Sequence, residues 1–145
     1  MDFLSRSEAD TLAIAADFAA GLKSGDVVAL RGPLGAGKTL FCRGVARALG
    51  YLGEVASPTY ALVQEYRTRI PLSHLDLFRL GPDADWEEIG LDHYSGQEGI
   101  CLIEWAERLP PERRRFTHRV ELEPIGESER RIRISLVSIR PDPKF

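Results

Sequence analysis

The sequence predicts an α/β fold, a three-layer sandwich around a mostly parallel central sheet with antiparallel additions. Residues 27–30 and 100–103 are continuous apolar runs, which suit strands that are buried on both faces. A helical pattern precedes the first run, and a second one follows it after a short glycine-rich loop. Strands that alternate with helices in this way indicate helices packed on a parallel sheet.

The other elements follow from periodicity and turn residues. Residues 7–22 have apolar side chains at helical spacing, and Ser7 followed by Asp10 resembles a capping box. Residues 38–49 form the second helical pattern, which Gly50 closes. The remaining predicted elements are strands at 60–66 and 71–78, short helical pieces within 81–99, and two strands joined near Gly126 in the segment from Arg119 onward. No linker is evident, so residues 1–145 are expected to form a single domain.

Charge and cysteine content exclude several classes of protein. The net charge is −3, so no overall positive field attracts nucleic acid. The arginine runs at 113–115 and 130–131 are most simply interpreted as solvated faces, with contact to RNA or an acidic partner as the alternative. Cys42 and Cys101 are too few for a disulfide framework and are expected to be free thiols in a reducing cytosol. No signal-peptide pattern or run of about 18 apolar residues is present, which predicts a cytoplasmic protein without membrane contact.

The clearest motif is RGPLGAGKT at residues 31–39, which fits the phosphate-loop pattern G-x-x-x-x-G-K-[ST]. In such a loop, backbone N–H groups and a helix N-terminus surround the phosphates of a nucleotide. The lysine adds a charge for the β- and γ-phosphates, and the hydroxyl after it binds Mg²⁺. The predicted nucleotide-binding residues of the loop are Gly32, Leu34, Gly35, Ala36, Gly37, Lys38 and Thr39. The motif therefore predicts a P-loop NTPase-like fold.

Two carboxylates follow predicted strands. Asp76 and Glu104 each end an apolar strand, and the carboxyl ends of parallel strands meet at one edge of a sheet. One carboxylate would hold Mg²⁺ while the other orients or deprotonates the attacking water, and the sequence does not divide these roles. The plainer interpretation of each carboxylate is that it caps a helix or forms a salt bridge. Trp105, next to Glu104, is either a core residue or a gate.

Five segments resemble the TsaE family (also called YjeE), ATPases needed to make threonylcarbamoyladenosine in tRNA. The segments are SEADT, GPLGAGKTLFCRGVARALG, SPTYALVQEY, HLDLFRL and ICLIEWAERLP. They occur in the family's order and spacing over roughly residues 5 to 110, and only the final predicted hairpin lacks a motif. The phosphate loop alone is generic to NTPases, whereas SPT[YF], H-x-D-L-[YF]-R and E-W together are specific to the family.

The resemblance implies ATP and Mg²⁺ as ligands and a role for each matching residue. Catalytic roles fall on Lys38, Asp76, Glu104 and Trp105, and metal binding on Thr39, Asp76 and Glu104. Thr59 resembles a switch threonine that senses the γ-phosphate, and Thr11 matches a threonine near the nucleotide. Arg79 matches the arginine of the H-x-D-L-[YF]-R segment, where it would meet either phosphate or a partner.

Three positions depart from the family's pattern. Pro33 replaces a common aspartate, which removes an N–H group and a charge from the outer side of the loop. Because residues 35–39 supply the main donors, we expect nucleotide binding to persist with altered turnover. Phe78 replaces the commoner tyrosine, so a contact that depends on the hydroxyl is in doubt. Ala106 replaces the proline after E-W and is expected only to loosen the next turn.

The short chain favours a nucleotide switch, because a nucleotide-binding fold leaves little chain for a second substrate site or a mechanical domain. No cis arginine finger is evident, so slow turnover in isolation is expected. By the resemblance, ATP would control docking on TsaD and TsaB, and tRNA would be met through that complex. A small-molecule kinase is the alternative, with residues 110–116 as an arginine lid, and a nucleotide-locked binding module is another. A GTPase is excluded because the chain contains no asparagine for an Asn-Lys-x-Asp motif.

Overall fold

The structure is a computed structural model that describes residues 1–55, 62–94 and 98–137, with only the backbone described at Asp92. Its strands are β1 (Asp2–Ser5), β2 (Val27–Arg31), β3 (Val63–Tyr66), β4 (Leu72–Asp76), β5 (Ile100–Glu104), β6 (His118–Pro124) and β7 (Arg130–Leu136). Its α-helices are α1 (Glu8–Ala20), α2 (Lys38–Ala48), α3 (Trp86–Ile89) and α4 (Leu91–Tyr94). Two 3₁₀ turns, Ala106–Arg108 and Pro111–Arg113, follow β5.

The strands form one mixed sheet of seven strands in the order β1-β7-β6-β2-β5-β4-β3. The four central strands, β6, β2, β5 and β4, are parallel to one another. The outer strands β7, β1 and β3 pair antiparallel with their neighbours. This arrangement confirms the predicted α/β fold, with a parallel centre and antiparallel additions.

Two apolar clusters cover the two faces of the sheet. Along β2, Val28 and Leu30 face the cluster that contains α1 and α2, whereas Val27 and Ala29 face the opposite cluster. The opposite cluster is closed by the short helices α3 and α4, through Trp86 and Leu91, and by Phe116. The sheet is therefore the middle of three layers, as the apolar runs in β2 and β5 predict.

Helices α1 and α2 approach each other closely because the contact on α2 is a glycine. A Cβ atom on Gly44 would lie 2.6 Å from the Ala15 Cβ and 3.1 Å from the Leu12 carbonyl oxygen. This contact fixes how α2, and with it the loop before α2, sits on the sheet. No helix in the described ranges combines the length and the apolar character needed to cross a bilayer.

The N-terminus of α1 differs in detail from the predicted capping box. Ser7 is the N-cap, and its hydroxyl accepts a hydrogen bond from the Asp10 N–H at 3.1 Å. The Asp10 carboxylate accepts from the Arg6 N–H at 2.9 Å instead of from Ser7, so the reciprocal bond is shifted by one residue. Strand β1, which precedes this cap, was not predicted. It has four residues and is recognisable only by its pairing with β7.

Candidate active site

The phosphate loop connects the end of β2 to the start of α2. Gly35 and Gly37 have φ angles of 79° and 100°, which lie in the left-handed region that favours glycine. Gly32 is required for a different reason, because a Cβ there would lie 2.6 Å from the Leu122 carbonyl oxygen. Gly37 is the N-cap of α2, so the unpaired N–H groups of that helix end face the loop. Such a helix end binds anions.

A cleft of about 360 Å³ lies over this loop. It brings together the predicted residues Leu34, Gly35, Gly37, Lys38, Thr39, Asp76, Glu104 and Trp105. Glu8, Leu40, Phe78 and Arg130 complete its lining. Ala36 is buried beneath the surface of the loop, and Gly32 packs against Leu122, so these two residues shape the loop without lining the cleft.

The Lys38 ammonium is held by contacts on two sides. Its Nζ donates to the Gly32 carbonyl oxygen at 2.6 Å and lies 4.2 Å from the centre of the Trp105 ring, a cation–π contact. Burial lowers the pKa of Lys38, and the carboxylates of Glu104, Glu107 and Asp76 oppose that shift. These contacts hold the ammonium next to the loop.

Asp76 and Glu104 are neighbours across the β4–β5 pair, where they are register partners. Both are buried, at 4% and 3% exposure. The Asp76 Oδ1 accepts from the Phe78 N–H at 2.9 Å, and the Leu77 N–H donates to the Glu104 backbone oxygen at 3.1 Å. These bonds hold the two strand ends, and hence the two carboxylates, at the same edge of the cleft.

The donors at this edge fit Mg²⁺. Asp76 and Glu104 contribute carboxylates, and Thr39 contributes a hydroxyl to the lining of the same cleft. Oxygen ligands of this kind are the ones that Mg²⁺ prefers, with water completing its coordination. The three predicted metal ligands therefore have the chemistry and the common location that the ion requires.

His74 is a site residue that the sequence analysis did not identify as a partner of Glu104. Its side chain is completely buried on β4, and its Nε2 lies 2.5 Å from the Glu104 Oε2. Its Nδ1 is buried and has no hydrogen-bond partner among the described residues. Alternation along β4 places His74 and Asp76 on the same face of the sheet, and this was the signal available in the sequence.

Cys42 lies beside this pair. Its sulfur and the ligand atoms of His74 and Glu104 lie within 4.8 Å of one another, and all three residues are buried. Burial raises the pKa of the Cys42 thiol well above its ordinary range, and the Glu104 carboxylate raises it further. Because only the thiolate is a strong metal ligand, this environment favours a packed thiol over a soft-metal site.

Trp105 has an unusual backbone conformation. Its φ angle is 59°, in the left-handed region, which is uncommon for a residue other than glycine. The turn brings the indole over the Lys38 ammonium and to 4.9 Å from the centre of the Phe78 ring. Strained backbone of this kind persists where the surrounding structure requires it, and here it directs the indole into the cleft.

Arg130 is a second site residue that sequence reasoning missed. Its guanidinium occupies the space that a side chain on Gly37 would take, with Cζ 3.0 Å from the position of that Cβ. The interpretation of residues 130–131 as a solvated face was therefore wrong for Arg130, which is half-buried. Alternation was again the available signal, since Ile132 and Ile134 on the same face of β7 belong to the core under α1 and α2.

The described part of the cleft leaves three further predictions open. Thr11 is fully buried, and its hydroxyl lies 2.7 Å from that of Ser5, so its contact with a nucleotide stays a prediction. Thr59 lies outside the described residues. Arg79 is exposed beyond the end of β4, and its role also stays a prediction.

Comparison with known proteins identifies a family. The family model described as "Threonylcarbamoyl adenosine biosynthesis protein TsaE" matches residues 5–132. The tRNA threonylcarbamoyladenosine biosynthesis protein TsaE of Bacillus subtilis is 41% identical over 136 residues, covering 90% of this chain and 82% of that protein. The TsaE protein of Treponema pallidum is 36% identical over 135 residues, covering 93% of this chain and 100% of that protein.

The fold comparison gives the same result. The crystal structure of Bacillus subtilis YdiB superposes with a TM-score of 0.74 at 34% sequence identity, covering 95% of this chain and 86% of that one. Residues 5–132, which the family model matches, include both carboxylates and the loop lysine. The chain therefore belongs to the TsaE family of threonylcarbamoyl adenosine biosynthesis proteins.

Proposed function

We propose that this chain is a Mg²⁺-dependent ATPase, a single domain over residues 1–145, that serves the threonylcarbamoyladenosine modification of tRNA. Its ATP-bound state would act as a switch on a complex of TsaD and TsaB. The observation that carries the proposal is the convergence of a loop lysine and two buried carboxylates on one cleft. Membership of the TsaE family supplies the biological context. The two free buried cysteines agree with action in the reducing cytoplasm.

Each residue of the cleft has a defined task in this proposal. The N–H groups at the start of α2 and the Lys38 ammonium bind the β- and γ-phosphates. Mg²⁺, held by Thr39 and a carboxylate, would neutralise charge that develops on the phosphates. The other carboxylate, of Asp76 or Glu104, orients the attacking water and accepts its proton. Trp105 keeps the Lys38 ammonium in place beneath its ring.

Slow turnover in isolation is part of the proposal. Of the residues that line the cleft, Lys38 and Arg130 are the cations. Arg130 lies against Gly37, and its strand is on the opposite side of β2 from the carboxylates, so it is not positioned as an arginine finger at the γ-phosphate. A finger supplied by a partner accelerates other NTPases by about 10³- to 10⁵-fold. We therefore infer that the partner complex completes the catalytic site.

The switch itself would depend on the γ-phosphate. Thr59, as the γ-phosphate sensor, and the segment at Trp105 would order around ATP and form a surface that docks on TsaD and TsaB. Hydrolysis would remove the contacts that hold this surface and release the partners. This chain would carry no transfer chemistry, and tRNA would be contacted through the complex.

ATP hydrolysis measured with and without purified TsaD and TsaB tests the proposal. The expected result is slow phosphate release by the isolated chain and a large increase with the partner pair. Lys38→Ala should abolish both the slow phosphate release and its increase with partners. Arg47→Ala, on the exposed side of α2, should change neither rate. Full activity in isolation that partners leave unchanged would refute the switch. Binding without any hydrolysis, even with partners, would instead support a nucleotide-locked module.

A small-molecule kinase is the weaker candidate. Arg113 and Arg115, offered as a lid by the sequence, line a cavity of about 350 Å³ together with Val27 at the start of β2. The phosphate loop follows the other end of β2, so these two arginines lie at the end of that strand away from the loop. Incubation with candidate acceptors separates the hypotheses, because a kinase yields a phosphorylated product and an ATPase yields free phosphate.

A further inference from the structure

The inference concerns Arg130, the first residue of β7. Its side chain leaves β7 on the face that packs against α1 and α2, as do the side chains of Ile132 and Ile134. Those two residues are buried, whereas Arg130 is half-buried at the rim of the cleft. There its guanidinium covers Gly37, the residue that begins α2.

The neighbouring arginines of β7 have acidic partners, whereas Arg130 has none among the residues that the structure describes. Arg131 lies 3.8 Å from the Glu123 carboxylate, and Arg133 lies 3.7 Å from that of Asp2. The register partners of Arg130 are Pro124 on β6 and Ser5 on β1, and neither carries a charge.

Within the described part of the chain, no carboxylate lies within ion-pair distance of Arg130. Glu8 lines the same cleft but makes no ion pair with it. A half-buried guanidinium without an anionic partner is unusual, because its charge loses hydration and gains no ion pair in exchange.

The location makes an unpaired cation still less favourable. The N-terminus of α2 carries a partial positive charge, so a cation next to it is repelled and an anion is attracted. Lys38, the next residue after Gly37, adds a full positive charge to the same cleft. Two cations and a helix N-terminus thus surround the same small volume. Such an arrangement is stabilised when an anion enters it.

The order of the strands shows which side of that anion Arg130 would meet. The loop follows β2, with Asp76 and Glu104 on the β5–β4 side of it. Arg130 is on β7, two strands away on the opposite side, at a lateral distance of about 10 Å given the usual strand spacing. Arginine spans much of this distance, and its contact with Gly37 shows that it reaches the loop.

We propose that Arg130 is a phosphate ligand of the bound nucleotide, supplied in cis by the C-terminal β6–β7 hairpin. It binds the phosphate chain from the side opposite the Mg²⁺ carboxylates, so that the phosphates lie between the guanidinium and the metal site. This inference rests on the proposed function, since it assigns a new contact to the same nucleotide site. It also gives a role to the one hairpin that carries no family motif.

Binding titrations with two Arg130 variants test the proposal. Arg130→Gln keeps much of the side chain but removes the charge, and Arg130→Lys keeps the charge but removes the planar fork. Arg131→Gln is the matched control, because Arg131 is its neighbour on β7 but points to the other face and pairs with Glu123. The probes are ATP, ADP and inorganic tripolyphosphate, and thermal unfolding of each variant verifies its fold.

Arg130→Gln should weaken binding of all three probes by about 10- to 100-fold, the usual effect of losing a charge-assisted hydrogen bond. Arg130→Lys should fall between this variant and the wild type, and Arg131→Gln should match the wild type. Unchanged affinity in Arg130→Gln would overturn the inference. A loss for ATP and ADP but not for tripolyphosphate would also overturn it, since Arg130 would then contact the nucleoside.

The test separates this inference from the proposed function. If the wild type binds ATP and Arg130→Gln binds it equally well, only the role of Arg130 is wrong. If the wild type binds neither ATP nor tripolyphosphate, both the inference and the proposed ATPase are wrong. If Arg130→Gln unfolds, Arg130→Lys provides the comparison: weaker tripolyphosphate binding than that of the wild type supports the inference, and equal affinity overturns it.

Discussion

Glu104 is held by His74, a neighbour outside the phosphate loop. The His74 Nε2 lies 2.5 Å from the Glu104 Oε2, and both side chains are almost completely buried. A buried carboxylate is costly unless it is hydrogen-bonded, so the imidazole satisfies the carboxylate that we assign to metal or water. His74 is therefore a positioning residue, because it fixes the direction in which Glu104 presents its other oxygen.

The first prediction concerns the stability of this pair. We expect His74→Ala to lower the free energy of unfolding by about 2–4 kcal/mol, because it opens a cavity and leaves the Glu104 carboxylate buried without a partner. The double variant His74→Ala/Glu104→Ala should lose about 1–2 kcal/mol less than the sum of the two single variants. Urea unfolding measures all three values. Strict additivity would show that the two side chains do not interact.

The second prediction concerns protons taken up with the nucleotide. Burial lowers the pKa of Lys38 below its ordinary value of 10.5 in the free protein, while bound phosphates would raise it by favouring the charged form. Between these two pKa values, binding converts neutral Lys38 to the ammonium, so ATP binding should take up protons as the pH rises through the lowered pKa of Lys38 in the free protein. Calorimetry in buffers of different ionisation enthalpy measures this uptake.

Lys38→Arg is the control for that measurement. A guanidinium stays protonated at all accessible pH values, so this variant should show no alkaline proton uptake if it still binds ATP. The same uptake in the arginine variant would assign the proton to another group, and none in the wild type would contradict a lowered Lys38 pKa.

Sequence reasoning located the part of the cleft that is local in the chain. The phosphate loop is a contiguous pattern, and Asp76 and Glu104 are recognisable because each ends an apolar strand. His74 and Arg130 were missed because their roles depend on residues that are distant in sequence. The bond from His74 to Glu104 spans 30 positions, and only the strand order brings Arg130 to Gly37.

At the level of elements, the contact between α1 and α2 fixes the phosphate loop on the sheet. Gly44 of α2 meets Ala15 and the Leu12 carbonyl of α1, so the two backbones approach closely. In an exposed helix, replacing glycine by alanine stabilises the helix by about 1 kcal/mol. At Gly44 the added methyl group would enter space that α1 occupies, so the packing clash opposes the gain in helix propensity.

The third prediction is that the packing clash at Gly44 outweighs the higher helix propensity of alanine. Gly44→Ala should destabilise the protein by about 1–3 kcal/mol, because it forces α1 and α2 apart. Ala15→Gly in the same chain should recover part of the loss, since it removes the atom that the new Cβ meets. Arg47→Ala, on the exposed side of α2, should change stability by no more than about 0.5 kcal/mol. A more stable Gly44→Ala variant would show that the helices separate easily.

The elements were predicted well where the pattern was strong. Strands β2 and β5 are apolar up to their last residue, and α1 and α2 have clear helical spacing, so each was placed within two residues of its observed bounds. Strand β1 was missed because its four residues include one apolar pair and gain their structure only by pairing with β7. Edge strands of this length carry too little pattern to be recognised without their partner.

On the scale of the whole molecule, carboxylates offset part of the arginine charge. Two of the arginines on β7 pair with Glu123 and Asp2, and the net charge of the chain is −3. Binding of RNA by phosphate contacts requires basic side chains that are not neutralised by nearby carboxylates. The charge distribution thus supports the proposal that tRNA is contacted through the partner complex.

The fourth prediction follows from this distribution. The isolated chain should bind tRNA with a Kd on the order of 10⁻⁴ M or weaker at physiological salt, in the range of non-specific association. Filter binding with labelled tRNA, over a series of salt concentrations, measures this affinity. The assembled complex with TsaD and TsaB provides the positive control. Submicromolar binding by the chain alone would show that it contacts tRNA directly.

One hydrogen bond joins the chain just before β3 to the end of β4. Leu62 has a φ angle of 67°, and its carbonyl oxygen accepts from the Asp76 N–H at 2.9 Å. The backbone that enters β3 is therefore bonded to the same residue whose carboxylate lies in the cleft. Any displacement of Leu62 would break a bond at Asp76, so movement of the chain entering β3 is coupled to the geometry of the carboxylate edge.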